Sequence, residues 1–410
     1  MEFTYCKLID VLSDIHSGGT PSTRESSYWG GKIKWLSSGE TSQRFISDTI
    51  DKITDEGVKN SSTKLASKGS IVMACAGQGK TRGQTSYLLD DMYINQSVIA
   101  LETNESVLPL YLFYDLSSRY EELRGGSDAS STRGSITTTS LKNLSFKYPD
   151  LSTQQSIVDI LWGYDSLIEA NNRRIELLEQ TAQELYKEWF VRFRFPGYEN
   201  VKFEDGLPEN WSYVRFGKAI EIIDGDRGVN YPKQEEFYPK GDCLFLNAGN
   251  VTAKGFDFSS CSYITKEKDD ILRKGKLQHG DVVLTTRGTV GNVAFYNETM
   301  TFSEMRINSG MVILRNLGVV STEYIYTALR HEYLQKLMTL YASGSAQPQL
   351  PIKDMKRMKI IKPDAKTMER FTEMGADIYN QISLLIMKNQ TLAKQRDMLL
   401  PRLMSGKLEV

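Results

Sequence analysis

The stretch "MACAGQGKTRGQ" (residues 73–84) follows the apolar run Ser70-Ile71-Val72 and has the outline of a nucleotide-binding loop, with Ala74, four residues, then Gly79-Lys80-Thr81. Such a loop works by a glycine turn whose backbone N–H groups cradle phosphates, followed at once by a helix whose N-terminus faces the anion. After Thr81 comes "RGQTSYLLDD", a glycine and then a β-like apolar run. Its nearest acidic candidate for magnesium, Asp90, stands too close to belong to a separate strand of a doubly wound sheet. The spacing predicts a strand, a glycine turn and a polar tip, and no NTP site. Other chemistry is equally thin. There is no Gly-x-Ser-x-Gly elbow, no His-Glu-x-x-His and no methyltransferase signature such as Asn/Asp-Pro-Pro-Tyr or Phe-x-Gly-x-Gly. The four cysteines (Cys6, Cys75, Cys243, Cys261) and three histidines (His16, His279, His331) lack metal-ligand spacing, so no metal is expected.

Composition narrows the function classes further. The 410 residues are 40% hydrophobic and 25% charged, which suits a globular protein of two or more domains. Fifty basic against fifty-one acidic side chains give a net charge of −1, so any contact with nucleic acid needs locally concentrated positive charge or a partner that supplies it. No apolar run approaches the roughly 18 residues of a membrane span, and "MEFTYCKLIDVL" lacks a basic region followed by an apolar core. A cytoplasmic location without membrane association is the expectation.

The elements that would position a site are written twice. "KGSIVMACAG" (68–77) matches "HGDVVLTTRG" (279–288), "INQSVIAL" (94–101) matches "INSGMVIL" (307–314), and "SITTTSLKNLSFKYPD" (135–150) matches "QLPIKDMKRMKIIKPD" (349–364). "TYCKLIDVLSDI" (4–15) corresponds to "SYVRFGKAIEII" (212–223). One unit of about 200 residues therefore occurs in tandem. Each copy begins with short β-branched and aromatic runs joined by Gly, Ser and Asn, which read as strands and loops with short helices between.

Each copy then changes character. After Pro149-Asp150, Ser152 and Gln155 have the spacing of a capping box. Ile157, Leu161, Tyr164, Ile168, Asn171, Ile175, Leu178, Ala182, Leu185 and Trp189 then recur in steps of four and three. That heptad seam predicts a helix of roughly 40 residues, about 60 Å long, ending at "RFPG" (194–197). The second copy repeats it after Pro363-Asp364, with Asn389 in the place of Asn172. A single helix cannot bury such a seam, so the two are expected to pair. The fold class expected is α+β: two similar mixed α/β domains (1–150 and 197–362) with two long antiparallel, coiled-coil-like helices (151–196 and 363–410).

Four segments then carry a family resemblance: "SGGTPSTRESSYWGGKIKWLSSGE" (17–40), "NNRRIELLEQTAQELYKEWFVRFRFPG" (171–197), "SGSAQPQLPIKDMKRMKIIKPD" (343–364) and the terminal "LLPRLMSGKLEV". In this order, inside a tandem repeat that spans nearly the whole chain, they resemble the specificity subunits of type I restriction–modification enzymes. The first copy departs from the pattern, since "GGSDASSTRGSITTTS" lacks the Gln-Pro-Gln of the second. The resemblance implies two target-recognition domains, each reading one half of a bipartite site on double-stranded DNA. It also implies two methyltransferase subunits docked on the helices, and two restriction (motor-nuclease) subunits. The chain itself would be non-catalytic and without cofactor, with S-adenosylmethionine, ATP and Mg expected on the partners.

Bases are read by donors and acceptors on groove-facing loops, Arg on guanine and Asn or Gln on adenine. The candidates in the first copy are Arg44, Gln78, Lys80, Arg82 and Arg133; in the second they are Arg227, Asn230, Asn247, Asn250, Arg287, Arg306, Gln347 and Gln349. Apolar helix positions outside the mutual seam, Leu167, Leu177 and Phe190, are the candidates for partner docking. Two other readings share parts of this pattern. A stand-alone DNA-binding regulator needs the loops without docking helices, and an architectural coiled-coil adaptor needs the helices without the loops.

Overall fold

The apolar runs "SIVMACA" and "SVIAL" have no polar alternation because the strands they form are covered on both faces. The computed structural model describes residues 2–77, 81–128, 134–344 and 348–410. The chain divides into two compact units, Met1–Ser166 with Lys394–Val410, and Leu167–Ala393.

In the first unit, β1 (Leu12–Ser17), β2 (Ile71–Ala74), β3 (Thr85–Leu88) and β4 (Val98–Thr103) form an antiparallel sheet in the order β1-β4-β2-β3, extended by Phe45–Ile46. Side chains of successive strand residues point to opposite faces. Ile71, Met73, Ile99 and Leu101 pack against α1 (Pro109–Ser118) and against Ile157 and Leu161 of α2 (Leu151–Tyr186). Val72, Val98 and Ala100 face the other way, onto Leu36, Ala66, Met92 and Ile94 of a second, mixed sheet. In that sheet Trp29–Leu36 lies parallel to Met92–Ile94.

The second unit repeats this plan. Its β5 (Ile220–Asp224), β6 (Asp281–Thr285), β7 (Val293–Tyr296) and β8 (Met311–Asn316) take the order β5-β8-β6-β7. Val282, Leu284, Val312 and Leu314 meet α3 (Thr322–Arg330) and the long helix α4 (Ala365–Ser405), while Val283, Ala294 and Ile313 meet the second sheet. There Cys243–Leu246 lies parallel to Met305–Ile307. A two-stranded ribbon also recurs, Thr4–Lys7 with Ser145–Tyr148 and Ser212–Arg215 with Lys359–Lys362. The tandem sequence is a tandem fold.

Both long helices open on the Asp of a Pro-Asp pair. Asp150 accepts from the Thr153 amide (3.0 Å) and hydroxyl (2.8 Å). Asp364 accepts from the same two groups of Thr367 (3.0 and 2.6 Å) and from the Trp211 indole (3.0 Å). The capping box expected at Ser152 and Gln155 is not formed, because Asp150 reaches the free amide first and Gln155 donates to Asp159 instead. Regular helix stops at Tyr186 and gives way to a wider π turn, Lys187–Val191, before the expected end at Arg194.

Within the first unit, Ile157, Val158 and Leu161 of α2 share a core with Leu400, Leu403 and Met404 of α4. Buried Asp165 there accepts from Arg396, from the Tyr114 hydroxyl (2.8 Å) and from Arg44 (3.3 Å). Within the second unit the segments run antiparallel: Trp189 lies 5.9 Å from Phe371, while Asn171 and Asn172 meet Asn389.

Burial by itself would raise the Asp364 carboxyl, but the Thr367 donors and the Trp211 indole hold it below its ordinary 3.8. Because the folded value is the lower one, this cap's stabilisation is fully present above pH 3.8 and is lost as the pH falls through the folded value. Asp364→Ala is expected to lower the stability of the second unit by about 1 kcal/mol at neutral pH. In urea unfolding the gap to wild type closes as the pH falls from 3.8 through the lower folded value. A gap independent of pH would contradict the assigned role.

Candidate nucleic-acid interface

Antiparallel pairing gathers particular strand ends at one edge of each main sheet. In the first unit Ser17 lies opposite Ile99, Ala74 opposite Val98 and Met73 opposite Thr85. In the second, Asp224 lies opposite Val312, Thr285 opposite Met311 and Leu284 opposite Val293. The connections that leave this edge are therefore neighbours by construction. A further segment is tied to it in each unit, since the Ile136 amide donates to Cys75 (2.9 Å) and the Leu350 amide to Thr286 (3.0 Å).

The loop that resembled a nucleotide site is one of these connections. The Ala74 amide donates to Gln84 and the Gly83 amide returns to Ala74, at 3.0 and 2.9 Å. Thr285 with Asn292 and Gly291 with Thr285 repeat the pattern at 2.9 and 3.0 Å. Thr81-Arg82-Gly83-Gln84 and Thr289-Val290-Gly291-Asn292 are thus the same turn. Gly83 and Gly291 hold it at φ of 87° and 100°, a region that favours glycine. The turn leads directly into strand β3, so no helix N-terminus succeeds it. Among the described residues, the helix that a phosphate cradle requires is missing there.

Three of the candidate residues come together at the edge of the second unit. The Arg287 amide donates to Gly310 (3.2 Å), and its backbone bridges to Gln349, itself bridged to Ser343. Arg227 is exposed, donates to the Ser309 carbonyl (3.4 Å) and pairs with Asp224 (3.1 Å). The Arg287 guanidinium makes no hydrogen bond or ion pair among the described residues. Half-buried Asn230 follows on the Arg227 connection. In the first unit the Thr20 hydroxyl donates to Gln96 (2.5 Å), which ties the Gly-Gly-Thr-Pro-Ser turn to the same edge. Gln96 is exposed there, and only the strand register, which sequence spacing does not reveal, could have placed it.

Other candidates are consumed by the fold. Arg306 is 5% exposed and donates to the Asp269 carboxylate and to the carbonyls of Asp269 (2.7 Å), Leu272 (3.0 Å) and Lys274 (2.8 Å). Burial acts to raise the Asp269 carboxyl, but Lys276 and Arg306 outweigh it and hold it below the ordinary range. Asn250 is buried and donates to the carbonyls of Asp257 (2.9 Å) and Ser260 (2.8 Å), while exposed Asn247 caps the same turn through Gly249 (2.8 Å). Arg44 stacks over Phe113 (4.9 Å) and pairs with Asp165. Arg82 is buried and donates to the Gly134 carbonyl (2.8 Å), bracing the segment before Ile136. Arg306, Asn250, Arg44 and Arg82 are therefore removed from the base-reading set, because their donors serve the interior. Gln78, Lys80, Arg133 and Gln347 lie outside the described residues.

On the helices, Leu167 and Leu177 are 49% and 47% exposed, as a docking face requires. Phe190 is only 2% exposed and packs edge-on against Tyr324 (4.8 Å) and Phe371 (4.9 Å), so it belongs to the core. Among the described residues no three His, Cys, Asp or Glu side chains gather as a metal site, and no helix is long and apolar enough to cross a membrane.

The family model for the type I restriction modification DNA specificity domain matches residues 2–180 and again residues 208–390. The chain therefore belongs to the family of type I restriction–modification specificity subunits. It is 26% identical over 416 residues to the MjaIX specificity subunit of Methanocaldococcus jannaschii, across 98% of this chain and 93% of that one. Against the EcoR124I/EcoR124II specificity subunit of Escherichia coli it is 31% identical over 204 residues, 48% of this chain and 49% of the relative. The crystal structure of the type I S subunit from M. genitalium matches with a TM-score of 0.55 over 98% of this chain and 96% of that one. At 15% identity this likeness is one of fold.

The contrast between two arginines is testable. Arg306→Met should cost roughly 3–5 kcal/mol in urea unfolding, the penalty for breaking a buried ion pair. Arg287→Ala should stay within about 0.5 kcal/mol of wild type. A large stability loss at Arg287, or none at Arg306, would reverse their assignment.

Proposed function

We propose that the chain is the DNA-reading subunit of a type I restriction–modification complex, with recognition domains at residues 1–150 and 197–362 that each read one half of a bipartite site on double-stranded DNA. The helical regions 151–196 and 363–410 set the length of the unread gap and dock two methyltransferase subunits, with Leu167 and Leu177 on the docking face. Two motor-nuclease subunits complete the restriction form. The chain carries no chemistry of its own: S-adenosylmethionine, ATP and magnesium belong to the partners, in the cytoplasm. Family membership supports this reading over a stand-alone regulator or an architectural adaptor.

The observation that carries it is the sheet edge built twice on one backbone plan, with Arg287 at one tip keeping its side-chain donors unspent. A shared scaffold with dissimilar tips suits two readers of different half-sites. Arg287 with Gln349 beside it would address base edges, and Arg227 would add a second guanidinium. In cells that carry the cognate methyltransferase, sequencing of methylated adenines should show Arg287→Ala relaxing one base position in one half-site. The loss should be about 1–3 kcal/mol of discrimination, with the other half-site unchanged. A uniform loss over all sequences, with a smaller salt dependence, would make Arg287 a phosphate contact and contradict the assigned role.

A further inference from the structure

The segment that leaves the reading edge of the second unit is densely basic. From Leu350, tied to Thr286, the chain passes through the short helix Ile352–Met355 into the strand Lys359–Lys362, which pairs with Ser212–Arg215. Lys353, Lys356, Arg357, Lys359 and Lys362 lie along this path, and Arg215 stands directly opposite Lys359 across the ribbon. All six are exposed, and among the described residues none is within ion-pair distance of a carboxylate. The Gly217 amide donates to the Lys356 carbonyl (3.2 Å), which holds the helix end against the ribbon. The path itself contains one acid, Asp354, and Tyr213, 59% exposed, shares the outer face with Arg215 and Lys359.

The fold does not require these charges. The first unit builds the same ribbon with Lys7 opposite Ser145, and the Lys7 ammonium finds the Asn143 side chain (3.0 Å). Positions matching Lys353, Arg357, Lys359 and Lys362 are Thr139, Asn143, Ser145 and Tyr148 there, whereas Lys356 is matched by Lys142 and Ile361 by Lys147. Like charges placed directly opposite in an antiparallel pair destabilise it. In a chain of net charge −1, the second copy carries six basic residues on this path against three, Lys7, Lys142 and Lys147, on the first.

We infer that this band is a phosphate-backbone contact for duplex DNA that serves the second half of the molecule and is denser in charge than its counterpart in the first. The inference rests on the DNA-reading function proposed above. Its chemistry is that of sequence-independent positioning: ammonium and guanidinium groups on a strand edge, with a tyrosine hydroxyl among them, suit phosphate oxygens and carry no base code. The two half-sites would then be held asymmetrically, the second more by salt-sensitive charge than the first.

The full-length chain carrying Lys353→Gln, Lys356→Gln, Arg357→Gln and Lys359→Gln would be titrated with a mixed-sequence duplex of about 40 base pairs over a range of KCl concentrations. Each phosphate contact contributes about 0.9 to the slope of log affinity against log salt, so the variant's slope should fall by about 2–4. Thermal melting checks that the substituted chain is folded. An unchanged slope in a folded variant would overturn the inference. Loss of methyltransferase co-purification at unchanged slope would overturn it in favour of an acidic protein partner. A wild-type chain that fails to bind the duplex both alone and with the cognate methyltransferase subunits would overturn the DNA-reading function itself, and this inference with it.

Discussion

Asn389 donates to Asn172 (2.8 Å) and accepts from Asn171 (2.7 Å) across a seam that is otherwise apolar, and these amides set the register of the second unit's helix pair. A slip by one heptad would bury the amides against leucine and isoleucine with nothing to bond, at about 1–3 kcal/mol for each unsatisfied group. A polar residue in such a seam lowers stability and raises uniqueness. Asn172 and Asn389 also occupy the same position in the two copies of the repeat. A position bonded to its own repeat counterpart puts a local two-fold between the helices, and the contact of Trp189 with Phe371 makes the pair antiparallel. The helices are not accessories to the units, either. Ile157, Leu161, Leu400 and Leu403 complete one core, and Ile175, Ala182, Phe371 and Leu385 complete the other.

With both faces of each main sheet covered, by helices on one side and a second sheet on the other, the main sheet leaves its strand-end edge free to vary. The interior must keep close-packed apolar volume, whereas the loops at the edge need only keep their anchoring hydrogen bonds. The turn shared by Gly83 and Gly291 illustrates the division. Its backbone bonds are the same in both units, while its tip residues differ: Arg82 in one, Val290 in the other. A scaffold of this kind can be duplicated and its two edges diverge without disturbing the core. The basic band departs from the first copy in the same way, on the outer face of a ribbon whose inner residues, Phe146 and Ile360, are buried in both.

The repeat, the long helices and the strand-rich domains were legible in the sequence because they rest on periodicity, which side-chain type records directly. Individual site residues were not, for a physical reason that each one shows. An arginine in a loop string looks alike whether its partner is solvent or a buried carboxylate, and Asp269, which takes up Arg306, is distant in sequence. Phe190 lies off the heptad phase, but the π turn at Lys187–Val191 shifts that phase and carries the ring inward. Asp150 caps α2 because it precedes Thr153 by three positions, a spacing that Ser152 and Gln155 imitate two residues too late. Arg227 and Arg287 were within reach, since each stands just beyond a strand end in copy two, whereas Gln349 reaches them through an isolated bridge to Arg287.

If the paired helices determine how much DNA goes unread, lengthening them must lengthen the gap. Four residues inserted into α2 after Ser166 and four into α4 after Ala393 extend both helices between the Asp165–Arg396 and Asn172–Asn389 contacts. That adds about 6 Å, nearly two base pairs, with the seam phase only locally disturbed. Sequencing of methylated adenines in cells that carry this variant and the cognate methyltransferase should return the same two half-sites with a longer gap. The same half-sites at the original spacing, in a variant that folds and still directs methylation, would contradict it.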